Sequence, residues 1–204
     1  MSLFTFFKPH HDKESRHIKD NDLDCLYPDH IRKLAHRHWT PVDVSQSAAT
    51  FLAHNYGAKI LDIGSGAGKF CLAAAICRPD CFYYGVEQRA HLIHCAEEAK
   101  QRLGIRNVSF IHANLKDIDF ADFDHFYFFN AFYEHIDNTV RIDENTKLSI
   151  ELYHEYTNYL YDQLVHMKSG TRLATYYARR EQIPSLFSLR ESAFAGNLKS
   201  WIRD

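Results

Sequence analysis

The chain has 204 residues, 46% of them hydrophobic, and a formal net charge of −2 from 24 basic and 26 acidic side chains. That is enough for one sizeable core and little more, and so even a charge balance excludes a general electrostatic attraction to nucleic acid. No apolar run approaches the ~20 residues that span a membrane, Met1 to Phe7 is too short for a secretory segment, and five cysteines without CxxC spacing read as reduced thiols of a cytoplasmic protein.

From Phe7 to Asp24 the chain is charged, His-rich and without periodicity, the composition of a loose N-terminal arm. Tyr27-Pro28-Asp29 opens a short helix reaching about His38. Thr40-Pro41-Val42-Asp43 then has the form of a capping box, with Pro at the first helical position and an acid at the third. The helix that follows places Val44, Ala48, Phe51 and Leu52 on one face and ends at Gly57. An arm and two helices over residues 1–57 therefore precede a domain over residues 58–204.

Ala58 to Ile63 is a short apolar strand, and Phe70 to Cys77 is apolar on nearly every side, as a helix wedged against a sheet would be. Between them lies Asp62-Ile63-Gly64-Ser65-Gly66-Ala67-Gly68-Lys69, a loop on which a ligand can approach the backbone closely. A P-loop is excluded, because Ile63 and Phe70 hold the places of its first Gly and its Ser or Thr. The dinucleotide fingerprint is weakened, because its third glycine falls on Lys69. What remains is Asp62-x-Gly64-x-Gly66-x-Gly68, which resembles the first motif of the class I S-adenosylmethionine (SAM) methyltransferases. A carboxylate there suits a ligand carrying an ammonium and a sulfonium and would repel phosphates.

Cys81 to Glu87 reads as a second strand ending in an acid about 25 residues after Asp62, where a ribose partner belongs. A helix from Arg89 to Leu103 stops at Gly104, and Val108 to His112 is a third strand followed by Asn114 and Leu115. The resemblance implies that Glu87, with Gln88 beside it, holds the ribose, and that Asn114 and Leu115 hold adenine. Asn114 stands where the family usually has Asp, and its amide oxygen can accept the same hydrogen bond. Asp62 would set the loop geometry and reach the methionine amine through water or backbone.

His125 to Phe129 is a fourth strand by its aromatic density, and Leu148, Leu152, Tyr156, Leu160, Leu164 and Met167 mark a long helix closed by Gly170. Thr171 to Tyr177 is a fifth strand; Ser185 to Arg190 and Leu198 to Ile202 form a terminal hairpin pair around Ala195-Gly196-Asn197. Strand and helix alternation with two late strands predicts an α/β fold, an open, doubly wound, mainly parallel sheet with an antiparallel edge hairpin. The resemblance implies seven strands.

Ligands of open α/β sheets sit at the carboxyl ends of the strands, so chemistry is sought in Asn130-Ala131-Phe132-Tyr133. Asn130-x-x-Tyr133 partly resembles the Asn/Asp-Pro-Pro-Tyr motif of amino-methyltransferases, with Ala131 and Phe132 in place of both prolines. A looser likeness is to the non-SET protein-lysine methyltransferases. Both imply Asn130 and Tyr133 as catalytic residues, with Asn130 also bordering the cofactor; the plainer readings are a turn cap for Asn130 and core packing for Phe132 and Tyr133. Glu134-His135 is a candidate general-base pair set against the rule that adjacent side chains rarely face the same way. His10-His11, His36-x-His38 and His91-x-x-His94 lack the companion ligands of a zinc site, and no metal is expected. Lys69 is expected to face solvent or the methionine carboxylate.

The expected function is methyl transfer from SAM to an unidentified acceptor, preferably a nitrogen of a protein or small molecule, with no membrane partner. Two alternatives stand beside it: a non-catalytic nucleoside-binding module, and an NAD-dependent oxidoreductase that tolerates Lys69 in place of glycine.

Overall fold

Seven strands hydrogen-bond into one sheet in the computed structural model, which describes residues 18–204. The readings of Met1 to Phe7, of His10-His11 and of the first part of the N-terminal arm fall outside those residues. The strands are β1 (Lys59–Ile63), β2 (Phe82–Glu87), β3 (Val108–His112), β4 (His125–Phe128), β5 (Arg172–Tyr176), β6 (Phe187–Ala193) and β7 (Leu198–Arg203), in the spatial order β3-β2-β1-β4-β5-β7-β6. All neighbours from β3 to β5 are parallel, and β7 is antiparallel to both β5 and β6. This is the open sheet with an antiparallel edge hairpin that the strand and helix order predicts.

Period-two alternation splits the core into two layers. Ile60, Tyr83 and Tyr127 point to one face, where α4 (Val42–Leu52), α5 (Lys69–Cys77) and α6 (Ala90–Leu103) cover them. Leu61, Ile63, Phe126 and Phe128 point to the other, against Tyr156, Leu160 and Leu164 of α7 (Ile150–Val165). Leu160 and Leu164 are fully buried, and burying each stabilises the fold by about 1.5–3 kcal/mol. Ser149 caps α7 by accepting the Leu152 N–H at 3.2 Å, and Gly104 at φ 66° stops α6.

The N-terminal part departs from expectation in three ways. Residues 29–38 form two short helices, α2 (Asp29–Arg32) and α3 (Ala35–His38), instead of one. Lys33 and Leu34 both keep right-handed helical dihedrals, so the break is a slip to i−3 hydrogen bonding and not a change of direction. The capping box at Thr40 does not form. Pro41 is the N-cap of α4, the Thr40 hydroxyl lies 2.8 Å from that of Tyr127, and the Val42 N–H donates to Asp20 Oδ1 at 3.1 Å.

That aspartate belongs to α1 (Asp20–Asp24), an ordered helix where an unstructured arm is expected. The reason is Lys69, whose side chain is 4% exposed and whose Nζ meets Asp20 Oδ1 at 2.5 Å and Asp24 Oδ1 at 2.6 Å, over the ring of Trp39. Lys69 faces neither solvent nor a ligand; it pins α1 to the start of α5. Removing the acids would strand a buried ammonium, an error that costs roughly 3–5 kcal/mol when a pair is fully enclosed. Because Asp20 is half-exposed, Asp20→Asn/Asp24→Asn is expected to lower unfolding stability by about 2–3 kcal/mol in urea titration, and Lys69→Met to cost clearly less.

Candidate functional site

A pocket of about 150 Å³ opens at the carboxyl ends of β1, β2 and β4. Its floor is the glycine loop. A Cβ on Gly64 (φ 73°) would stand 2.4 Å from Ala131 Cβ, and one on Gly68 (φ 81°) 2.4 Å from the Phe110 ring. Both places therefore demand glycine, for conformation and for space. Gly64 and Gly66 line the pocket, whereas Gly68 lies beneath it as the N-cap of α5.

Asp62 stays outside. Its carboxylate is 4% exposed, turns toward α5 and accepts the Cys71 thiol at 3.5 Å. Burial raises its pKa to about 8, further helped by the negative charge of Glu87. Asp62 thus underlies the loop without lining the pocket.

Glu87 does line it, at the end of β2 and 6% exposed. Its Oε1 accepts the Arg89 N–H at 2.9 Å and its Oε2 accepts the Gly66 N–H at 3.3 Å, so β2 and the glycine loop are tied through one carboxylate. Burial pushes its pKa up against the opposing pull of Arg89. Gln88 lines the pocket too, and its carbonyl accepts from His112 Nε2 at 3.1 Å. Leu115 borders the pocket but Asn114 does not: the Asn114 Oδ1 accepts the Lys116 N–H at 3.0 Å and its Nδ2 donates to the Tyr156 hydroxyl at 2.7 Å. The Tyr156 ring forms part of the wall.

At the end of β4, Asn130 sits in the left-handed region at φ 39°. Its backbone carbonyl, not its side chain, accepts the Tyr133 N–H of the following turn. The side-chain Oδ1 is buried at the pocket with no partner among the described residues. A turn cap would have used that oxygen, and an unsatisfied buried acceptor costs about 1–3 kcal/mol. A left-handed backbone and an unpaired acceptor thus coincide on one residue that lines the pocket. Phe129 and Tyr133 flank it as walls, and Phe132 packs into the core against Phe128 and Tyr156.

Glu134 and His135 both line the pocket, with different partners. Glu134 Oε1 binds Arg89 Nη2 at 2.6 Å, and His135 Nδ1 accepts the Ser149 N–H at 3.3 Å, with burial lowering the imidazole pKa. Sequence reasoning missed Arg89 and Asp143, whose side chains meet at 2.5 Å, as well as Trp39, Val140 and Ile142 in the walls. Their contacts are long-range, and the one signal for Arg89 was a basic residue just past an acid-ended strand. Among the described residues no group of three or more His, Cys, Asp or Glu side chains could hold a metal, and no helix is long and apolar enough to cross a membrane.

Glu87 at the end of the second strand, the open space over Gly66 and the unpaired oxygen of Asn130 fit a nucleoside-bearing ligand beside an N–H donor. A family model described as a methyltransferase domain matches residues 54–170. A tRNA (guanine-N(7)-)-methyltransferase of Synechococcus sp. (strain JA-3-3Ab) is 46% identical over 55 residues, 27% of this chain and 23% of that protein. The chain thus spans about a quarter of the length of the curated relatives it matches. Among solved structures, TrmN from Thermus thermophilus superposes with a TM-score of 0.58 at 20% identity, covering 84% of this chain and 51% of that one. An RNA methyltransferase from Salinibacter ruber in complex with S-adenosyl-L-homocysteine gives 0.54 at 15% identity, covering 80% and 92%. These two share the fold.

Asp62 generates a test of its own. With a folded-state pKa of about 8 against about 3.9 in an unfolded chain, the folded protein binds the extra proton between those values. Stability from this group is therefore complete below pH ~4 and is lost as pH rises toward ~8. Asp62→Asn keeps an acceptor for Cys71 and removes the titration, so urea midpoints across pH 5–8 should fall less with pH than in the wild type. An unchanged slope would mean that Asp62 is ionised in the fold.

Proposed function

Since the chain belongs to the methyltransferase-domain family, we propose that it transfers the methyl group of SAM to a nitrogen that carries an N–H, with Asn130 as the residue that orients it. The observation behind this reading is the buried Asn130 Oδ1, which has no partner among the described residues. Only a donor satisfies that oxygen, so an N–H or a hydroxyl fits it and an ether or carbonyl oxygen does not; the choice of nitrogen rests on the likeness of Asn130-x-x-Tyr133 to the amino-methyltransferase motif. A ring nitrogen without hydrogen, such as the guanine N7 in the name of the Synechococcus relative, would leave it unpaired.

SAM supplies an electrophilic methyl on a sulfonium, so alignment and exclusion of water do most of the work. Glu87 would accept the ribose hydroxyls, with Gln88 beside it. Gly64 and Gly66 would let the ligand meet the loop backbone, with Gly68 and Asp62 shaping that loop from beneath. Leu115 would pack on adenine, and Asn114, bonded to Lys116 and Tyr156, would hold the Tyr156 wall in place from outside the pocket. Asn130 Oδ1 would accept the acceptor's N–H and so aim the nitrogen lone pair, while Phe129 and Tyr133 wall the site and desolvate an amine toward its neutral, nucleophilic form. Leu34, Arg37 and Trp39 reach the pocket from the N-terminal helices, the position of a lid.

The acceptor's class extends beyond the protein or small molecule read from the sequence. Relatives that act on tRNA make an exocyclic base amine a third candidate, and Phe129, Tyr133 and Tyr177, the last 52% exposed, offer rings for stacking. Transfer of labelled methyl from SAM into lysate, repeated after ribonuclease and after protease treatment, separates these classes.

S-adenosylhomocysteine should raise the melting temperature, corresponding to about 2.7 kcal/mol at 100 times its dissociation constant, and NAD should not. A response to NAD alone would return the oxidoreductase alternative.

Asn130→Ala should leave S-adenosylhomocysteine affinity nearly unchanged and lower methyl transfer to the acceptor found in lysate by about 10² to 10³. Full turnover in that variant would remove the N–H acceptor reading. Unaltered cofactor binding with no turnover in the wild type on any fraction would favour the non-catalytic module.

A further inference from the structure

Arg89 is the most heavily engaged charge in the molecule that the proposed chemistry leaves without a role. Its guanidinium is 5% exposed and meets three carboxylates: Glu87 at 3.6 Å, Glu134 at 2.6 Å and Asp143 at 2.5 Å. Those acids come from two places in the chain. Glu87 ends β2, whereas Glu134 and Asp143 belong to residues 133–146, which run from β4 toward α7 as two short 3-10 turns and a loop.

The loop has hydrogen bonds of its own. Asp143 Oδ1 accepts the N–H groups of Asn145 and Thr146 at 2.7 and 2.8 Å, and Arg141 donates to the carbonyls of Asp143, Glu144 and Thr146. Beyond Arg89, its second half is tied down by Arg37, which donates to the Thr139 carbonyl at 2.6 Å, and its first half by the Ser149 N–H on His135 Nδ1 at 3.3 Å and by Ile136 against the α7 core. Val140 and Ile142 of this strap line the pocket together with Leu34 and Trp39. The strap thus forms part of the pocket wall, close to Glu87.

We propose that Arg89 is a positioning residue with two linked tasks: it keeps the Glu87 carboxylate ionised for the cofactor's ribose, and through Glu134 and Asp143 it latches the strap over the bound ligand. The inference rests on the SAM reading of the pocket. Without the guanidinium, Glu87, Glu134 and Asp143 would crowd negative charge into a buried space, and the most deeply buried acids would take up protons. A protonated Glu87 loses its charge-assisted hydrogen bonds to hydroxyls. The latch links the same event to closure, because the cation that compensates Glu87 is the one that holds Asp143.

Other groups near this cluster also titrate. Asp62 acts on Glu87 from beneath, His38 of α3 and His135 of the strap act on Glu134 and Arg89, and the pKa values of both imidazoles are lowered by burial. The useful readout is therefore the difference between two pH profiles and not either profile alone.

Binding of S-adenosylhomocysteine to the full chain, measured by calorimetry between pH ~6 and ~9, tests the first task. Arg89→Met should bind about tenfold more weakly than wild type near pH 6 and recover toward wild type as pH rises, and Arg89→Lys should restore most of the loss. A parallel profile with a uniform loss, or no loss, overturns the proposal. Asp143→Asn tests the second task and stands even if Arg89→Met does not fold. It should speed S-adenosylhomocysteine dissociation in stopped flow by about tenfold while leaving the pH profile of affinity in place. An unchanged dissociation rate overturns the latch and with it the linkage. If the wild type itself does not bind S-adenosylhomocysteine, the SAM reading fails first, and the two failures are told apart by that measurement.

Discussion

β1 pairs in parallel with β2 on one side and with β4 on the other, and the chain leaves these two neighbours in opposite directions along the sheet. A crevice opens where strand order reverses, because the connections beyond the strand ends diverge there. Everything assigned to the site follows from it. The glycine loop leaves β1, Glu87 ends β2 and Asn130 follows β4, so residues 64, 87 and 130 converge on one pocket. The contact of Gly64 with Ala131 closes its floor, and a side chain there would force the β1 and β4 ends apart.

Two buried cations then organise what surrounds the crevice. Lys69 joins α1 to α5, and Arg89 joins β2 to the strap after β4. Each is nearly inaccessible and each is matched by more than one acid, as desolvation requires. Their effects differ in kind. Lys69 pins α1 outside the pocket, whereas Arg89 lines the pocket beside Glu87.

Acidic groups near the same loop are divided by burial in a way that their sequence positions hide. Asp62 and Glu87 both end up almost fully enclosed, yet Glu87 accepts two backbone N–H groups and lies near a guanidinium while Asp62 has only a thiol. Burial accordingly raises the pKa of both, and Arg89 draws Glu87 back toward its charged form. An acid after a strand and before a glycine loop is therefore not by itself a ligand contact. In this fold it is a buried wedge between β1 and α5.

Strand and helix order, the glycine loop, Glu87 and the Asn130-to-Tyr133 segment were legible from the sequence alone, because each rests on local periodicity or on short-range spacing, and short-range spacing survives folding unchanged. Other readings depended on which distant residue arrives opposite. The Thr40 hydroxyl meets that of Tyr127 and caps no helix, Lys69 meets Asp20 and Asp24 in place of solvent or a methionine carboxylate, and Glu134 pairs with Arg89. The pairs Arg89 with Asp143 and Asn114 with Tyr156 lie 54 and 42 residues apart in the chain, with no period or motif linking them. Tertiary structure alone decided those partners, since the free energy of a buried charge or amide is set by what surrounds it in space and not by its neighbours along the backbone.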